Sequence, residues 1–403
     1  MKSVSFIPSL TPLRGIAAML VALFHFSIFL APLASPGNFI ISKWYLMVDL
    51  FFVLSGFIMY HVYGSWFQES IARQSFGKYM RARFARLYPL HLFTLLVTIG
   101  IALVLYQSMP AGSIPPLVGS VFDPAAIPTS LLLVQAWGFH LEAPWNTPAW
   151  SISVEWFLYL LFPFLIAFLV RAPKIARPIL WSLAIGGLIL IMYVIQPYME
   201  GLWDAARGIP EGMLRPTNTI DLITGPALLR GFCSFTIGML LYERYRQGWQ
   251  KPLLSKGFWF PLLWAVMLGL WMGDWLPDVL AVLMFATMIL HLTWVEGSVK
   301  NVLNNKVFTY LGDISYSIYM VHVPILLSLF VYNMIQSAGE EGFAALDGPA
   351  PEINLGLNWL MGMAFLAVVI LVASFTYRLI EKPLRRKLNP RKKEATVTEQ
   401  VAA

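Results

Sequence analysis

Long runs of apolar residues recur along the whole chain, separated by short polar segments. Each run approaches the roughly 20 residues that a helix needs to cross a bilayer. A shorter run at 129–140 is too short to span and is predicted to be an amphipathic or re-entrant piece. The remaining pattern predicts ten membrane-spanning helices, near residues 15–33, 44–64, 88–106, 149–170, 178–198, 226–243, 258–274, 278–294, 309–335 and 358–380.

Composition supports the same class of protein. Apolar residues make up 58% of the chain and charged residues only 12%, whereas soluble domains carry about 25% charged residues. We therefore predict an all-α polytopic membrane protein, with one helix bundle over residues 1–385 and a polar, disordered tail over residues 386–403.

Charge predicts the orientation of this bundle. Of the 28 Lys and Arg residues, 24 lie in alternate polar segments, including both ends of the chain. Cytoplasmic loops carry such an excess, so we predict that both termini are cytoplasmic and that the net charge of +7 reflects orientation, not nucleic-acid binding. The single cysteine excludes an internal disulfide, and no spacing of His and Cys is typical of a metal site, so no metal is predicted.

A few ionisable residues fall inside the predicted spans, where a charge is costly unless it is paired, hydrated or functional. At about 1.5 Å per residue, His25, Asp49 and Glu155 each lie roughly 8–12 Å below the outer end of their span. His322 lies roughly 20 Å deep. We expect a polar site in the outer half of the bundle; the alternative is that these groups only hold the helices together.

Arginines near the inner surface extend this site. Arg14 and His25 are eleven residues apart, which places them on one helix face about 16 Å apart along the axis. Arg83 and Arg86 form an i, i+3 pair just before the third span. Together they suit the phosphates of an elongated anionic ligand, although arginines are also expected at the inner surface for topology alone.

Several short motifs occur in the order found in one known family. The chain resembles the acyltransferase 3 family of membrane acyltransferases. The matching pieces are Arg14-Gly15 with His25, VDLFFVLSGFIMY at 48–60, Arg83-x-x-Arg86 with Leu87-Tyr88-Pro89, PAWSISVEWFLYLLFP at 148–163, LGDISYSIYMVHVP at 311–324 and EKPLR at 381–385. No hydrolase-like domain follows the last span, so we expect the stand-alone form.

The resemblance implies transfer of an acyl group, commonly acetyl, from cytoplasmic acyl-CoA to a hydroxyl. The acceptor would be a glycan, a lipid-linked sugar or a similar molecule at the outer face of the membrane. Short loops and a basic inner face predict that this membrane is a bacterial plasma membrane. The resemblance also implies that His25 is the essential catalytic residue and that Arg14, Arg83 and Arg86 bind the donor. The family's acceptors vary, so the resemblance identifies neither the acceptor nor the oligomeric state.

On this basis we predict that His25 acts as general base, oriented by Asp49 or Glu155 as in a catalytic triad. Ser151, Tyr316 and Tyr319 are candidate donors to an oxyanion or to sugar hydroxyls. Trp150 either stacks on a sugar or belongs to the interfacial aromatic belt. His322 either joins the site or satisfies the backbone carbonyl that Pro324 frees.

Three alternatives stay open at this point. His25 can instead form a covalent acyl intermediate before the acceptor binds. Intramembrane Asp, Glu and His also build proton relays, so the chain can be a proton-coupled transporter or an exporter of a surface-glycan precursor. A non-catalytic membrane scaffold is the third class.

Overall fold

The computed structural model describes residues 7–109, 114, 116–207, 218–337 and 354–389. Regular secondary structure within these ranges is helical, as predicted. The α-helices are α1 (Leu10–Phe29), α2 (Met47–Tyr63), α3 (Arg73–Ser108), α4 (Pro116–Val121), α5 (Ile127–Leu131), α6 (Ala149–Arg171), α7 (Ala176–Leu190), α8 (Gln196–Arg207), α9 (Ala227–Arg246), α10 (Lys251–Leu254), α11 (Trp259–Met272), α12 (Asp278–Trp294), α13 (Ser298–Leu303), α14 (Lys306–Asp313), α15 (Ser315–Ser337), α16 (Leu355–Thr376) and α17 (Lys382–Leu388).

Seven helical segments in the described part are long and apolar enough to cross a membrane by themselves. They are Leu10–Phe29, Ser42–Trp66, Arg73–Ser108, Ala149–Arg171, Ala176–Trp203, Ser315–Gln336 and Leu355–Leu388. The other three predicted spans coincide with α9, which contains charged residues, and with α11 and α12, which have only 14 and 17 residues. The chain is therefore an integral membrane protein, while the count of ten and the cytoplasmic termini stay predictions.

The predicted span at 309–335 is divided in two by a close helix contact. Helix α14 ends at Asp313 and α15 begins at Ser315. Just before this break, α14 touches α1: a Cβ atom on Gly312 would lie 2.1 Å from the carbonyl oxygen of Thr11, and one on Gly15 would lie 2.8 Å from the Gly312 nitrogen. Small residues let helix backbones approach this closely in membranes, and this contact anchors the start of α15 against α1.

Helices α2 and α9 form a second close crossing. A Cβ atom on Gly56 would lie 2.0 Å from the Phe235 carbonyl oxygen, and one on Gly238 would lie 1.9 Å from that of Val53. The crossing buries an ion pair between Asp49 and Arg230, and both side chains are fully excluded from solvent. The close contact between α2 and α9 therefore also pairs a buried carboxylate with a buried guanidinium.

Lys43 and Arg230 are among the four Lys and Arg residues outside the predicted cytoplasmic segments, and both are buried. Arg230 lies in the first turn of α9. Lys43 lies in the 3₁₀ turn Ser42–Leu46 and is 2.7 Å from Asp274 and 3.0 Å from Asp278. Neighbouring carboxylates neutralise both charges, so neither acts as an exposed loop charge.

The end of the bundle also differs slightly from the predicted domain boundary. Helix α16 continues through a π-helical turn, Tyr377–Glu381, into α17, which ends at Leu388. The helical region therefore extends three residues past the predicted boundary at 385. The prediction of disorder for residues 390–403 lies outside the described residues.

Candidate active site

Two histidines from different helices meet inside the bundle. His25 of α1 and His322 of α15 have ring centroids 5.0 Å apart, and His322 Nε2 lies 3.3 Å from His25 Nδ1. His322 is fully buried and His25 is partly buried. The sequence left two roles open for His322. Its position beside His25 fits the first of them, membership of the polar site.

The second role is filled by another residue. Proline at position 324 removes the hydrogen-bond donor that would normally satisfy the Met320 carbonyl. Asn146 Nδ2 donates to that carbonyl over 3.0 Å. His322 is therefore not needed for this purpose.

Backbone contacts set the tautomers of both rings. His25 Nδ1 lies 3.0 Å from the Val21 carbonyl oxygen, and His322 Nδ1 lies 3.3 Å from that of Ile318. A carbonyl oxygen only accepts, so each Nδ1 carries the proton and each Nε2 of a neutral ring is unprotonated. His25 Nδ1–H thus points to Val21 and to His322 Nε2, and His25 Nε2 has no hydrogen bond within the described ranges.

The predicted contact between His25 and Asp49 is not formed. Both oxygens of the Asp49 carboxylate bind Arg230, at 2.7–3.2 Å, and Oδ1 also accepts from Ser234 at 3.1 Å. The sequence estimated only depth along each helix, whereas the α2–α9 crossing turns Asp49 toward α9. The carboxylate that interacts electrostatically with His25 is instead that of Asp221. Asp221 also lies 3.0 Å from Arg230.

Glu155 is also turned away from His25. Its Oε1 accepts hydrogen bonds from Ser55, at 3.0 Å, and from Tyr159. The carboxylate lies within electrostatic range of Arg14. Glu155 therefore groups with the arginines and not with His25, although its estimated depth matched that of His25.

Arg14 and Arg86 lie near each other, and we call the region around them the arginine site. They lie within electrostatic range of one another and of Glu381. Neither guanidinium makes a hydrogen bond or ion pair to any residue in the described ranges, although both are partly buried. Two neighbouring cations without direct partners in the described part have the chemistry to bind a multiply charged anion.

Arg83 belongs to the same region but has partners of its own. Its Nη2 donates to Tyr63 Oη over 2.7 Å, and its guanidinium lies over the rings of Tyr63 and Tyr159 at 4.9 and 5.5 Å. Through Tyr159 it is linked to Glu155. Arg83 thus holds one wall of the arginine site in place.

Glu381, from the EKPLR motif, faces the arginines from the π-helical turn. Its Oε2 accepts from Ser317 over 2.8 Å, and only 2% of its surface is exposed. Its Oε1 has no hydrogen-bond partner in the described part and lies 3.7 Å from Arg385 Nη1. The sequence identified the motif but not this buried carboxylate; π-helical turns often mark functional positions.

The remaining predicted residues divide between the two ends of the site. Tyr319 lies beside His322, with ring centroids 5.8 Å apart, and its hydroxyl is 2.8 Å from Ser151 Oγ. Tyr316 instead donates to the Leu87 carbonyl over 2.6 Å, next to Arg86. Trp150 is only 6% exposed and lies under the Arg230 guanidinium at 5.2 Å, so it is not a lipid-facing residue of the aromatic belt.

Arg230 and Asp221 are the residues that the sequence reasoning missed. An arginine inside the predicted span 226–243 was itself a signal, because a charge there needs a partner. No group of three potential metal-binding side chains occurs among the described residues.

The family comparison decides the class of protein. The family described as an acyltransferase domain, acyltransferase 3, matches residues 7–378. The chain belongs to the acyltransferase 3 family. It is an acyltransferase enzyme, as predicted.

Two relatives agree with this assignment. The chain is 29% identical to acyltransferase MdmB of Streptomyces mycarofaciens, over 97% of this chain and 94% of the relative. It is 24% identical to the peptidoglycan O-acetyltransferase OatA of Listeria monocytogenes, over 94% of this chain but 56% of the relative. No solved structure matches this acyltransferase significantly.

Proposed function

We propose that this acyltransferase moves an acetyl group from cytoplasmic acetyl-CoA to a sugar hydroxyl at the outer face of the membrane, with His25 as general base. The observation that carries the proposal is that His25 Nε2 has no hydrogen-bond partner among the described residues, while the other ring nitrogen is held by Val21 and His322. A general base needs such a free lone pair within reach of the acceptor.

In the proposed reaction, Nε2 takes the proton of the acceptor hydroxyl while the oxygen attacks the thioester carbonyl. The carbon–sulfur bond then breaks, and the imidazolium returns the proton to the departing thiolate. While His25 is charged, its Nδ1–H still donates to Val21 and His322. His322 acts as a positioning residue that stabilises this charged form, the role that the sequence reasoning gave to Asp49 or Glu155.

The donor would be held by Arg14 and Arg86, whose guanidiniums have no direct partner in the described part of the chain. Arg14 and His25 are separated by eleven positions of α1, about 16 Å along the axis. Phosphates at Arg14 and Arg86 would leave an extended arm to reach His25. In this arrangement Arg83 fixes the wall of the donor site through Tyr63 and Tyr159.

The acceptor would enter from the opposite side. Tyr319 and Ser151, next to His322, supply hydroxyls for sugar binding or for the oxyanion. A glycan acceptor is supported by the activity for which the Listeria relative is named, O-acetylation of peptidoglycan. The fully buried Asp49–Arg230 pair has a structural role here.

The test is transfer of labelled acetyl from acetyl-CoA to an acceptor extract by purified enzyme in nanodiscs. We expect His25→Ala to lower the rate at least about a hundredfold, since general-base catalysis contributes about 10²–10⁴. Its melting temperature should stay near that of the unchanged protein. Rates near normal would end the base assignment, and movement of substrate without modification would favour transport.

The same preparation separates the two chemical routes. Direct transfer predicts no labelled enzyme when acetyl-CoA is added without acceptor. A trapped acetyl group on His25 would instead establish a covalent intermediate.

A further inference from the structure

A cavity of about 690 Å³ opens at the predicted cytoplasmic face, and its lining includes neither His25 nor Arg14, Arg83 or Arg86. It lies where the carboxyl ends of α2, α6 and α9 meet the start of α7. Four basic residues line it: Lys174, Arg177, Arg244 and Arg246. None of them belongs to the proposed reaction.

One of these cations, Arg177, is held by hydrogen bonds and an ion pair to other residues of the protein. It donates to the carbonyls of Leu169 and Ala172, both over 2.7 Å, and so caps the end of α6. It also pairs with Glu243 at 3.3 Å, and Glu243 accepts from Tyr60 at 3.3 Å. The charges of Arg177 and Glu243 cancel, so this pair adds no net charge to the cavity.

The other three cations have no such partners. The side chains of Lys174, Arg244 and Arg246 make no hydrogen bond or ion pair within the described ranges. Their side chains give the cavity a charge of about +3 beside the neutral Arg177–Glu243 pair. Three free cations around a concave surface are suited to a phosphate group.

The wall of the cavity indicates which phosphate compound fits. Val170 lines it and is 44% exposed, and Trp181 stands beside it. Next to it, α7 presents exposed apolar side chains such as Ile179 and Leu183 to the surroundings. A ligand here meets cations at one end and a lipid-facing helix surface at the other, as a phospholipid does.

We propose that this cavity, named the basic cavity and defined by Lys174, Arg244 and Arg246, binds the phosphate headgroup of an anionic phospholipid. Basic cavities between membrane helices on the cytoplasmic side recognise such headgroups. The site is separate from the donor site at Arg14 and Arg86, and the proposal does not depend on the proposed reaction.

The experiment purifies the full-length protein from membranes containing phosphatidylglycerol and phosphatidylcholine and measures retained lipid by native mass spectrometry. The test variant is Lys174→Gln/Arg244→Gln/Arg246→Gln. The matched control, Lys251→Gln/Lys256→Gln/Lys300→Gln, removes the same charge from exposed positions on the same predicted face. We expect the test variant to retain at least about tenfold less phosphatidylglycerol, and the control to resemble the unchanged protein.

Other results would overturn the proposal. Equal loss in both variants would mean that only general surface charge attracts the lipid. Displacement of phosphatidylglycerol by 3′-phosphoadenosine, or a raised KM for acetyl-CoA with unchanged lipid retention, would assign the cavity to the donor's phosphates. Lipid retention can be lost while acetyl transfer is intact, so failure here is distinguishable from failure of the proposed function.

Discussion

Two clusters of charged side chains lie inside the bundle, and they differ in how completely their hydrogen bonds are satisfied. Every nitrogen of the Arg230 side chain that can donate reaches Asp49, Asp221 or the Leu222 carbonyl. Arg14 and Arg86 make no such bond within the described ranges, and Glu381 keeps one oxygen without a hydrogen bond there.

We infer that this difference separates structural charges from functional ones. A buried charge costs several kcal/mol unless its partners satisfy it. The Arg230 cluster meets that condition by itself and joins α2 to α9. The Arg14–Arg86 cluster does not, so we infer that a ligand completes it.

The largest effect should come from breaking the satisfied cluster. We expect Asp49→Asn to lower the free energy of unfolding by about 3–5 kcal/mol, because it leaves Arg230 buried with less opposing charge. The loss of stability is measured by thermal unfolding in detergent, with the helical circular dichroism signal as the probe.

The control removes both charges of that pair. Asp49→Leu/Arg230→Met should recover much of the lost stability, since apolar pairs often replace buried ion pairs without loss. A double variant that is stable but inactive would contradict a purely structural role and support the predicted catalytic role of Asp49.

A smaller effect, on activity only, is expected at the unsatisfied cluster. Arg86→Gln should lower kcat/KM for acetyl-CoA about 10- to 150-fold, mostly through KM, because charge-assisted hydrogen bonds contribute about 1.5–3 kcal/mol. Steady-state kinetics at varied acetyl-CoA checks this. Arg81→Gln, at an exposed position of the same helix, is the matched control and should change neither KM nor stability.

The smallest of these effects is expected at His322. His322→Leu removes the acceptor for His25 Nδ1–H, and we expect kcat to fall about tenfold with an unchanged KM for the donor. His322→Gln offers an acceptor again and should recover most of the rate. Equal loss in both variants would show that packing, and not this hydrogen bond, accounts for the change.

Much of this protein could be predicted from sequence, for identifiable reasons. The apolar runs predicted the helical membrane class because a bilayer requires backbone hydrogen bonds to be satisfied within each helix. The spacing of Arg14, His25, Arg83 and Arg86, together with the family motifs around them, predicted the residues of the proposed donor and catalytic sites. The family prediction was confirmed by the match over residues 7–378.

The partners of the charged groups were not predictable in the same way. Axial depth placed His25, Asp49 and Glu155 in one layer, yet their hydrogen bonds lead to three different neighbourhoods. Depth follows from the rise per residue, but direction depends on helix rotation. Rotation is set by contacts such as Gly56 against Phe235, which no local pattern reveals.

The chain's residue pattern alone determined the membrane class and which ionisable residues lie within it, because hydropathy and helical period are local properties. Only the tertiary structure decided that His322 holds His25 and that Arg230 holds Asp49, because both contacts join residues more than 150 positions apart. Such contacts arise from helix packing, where glycine-sized gaps and buried charges from distant segments must fit at the same time.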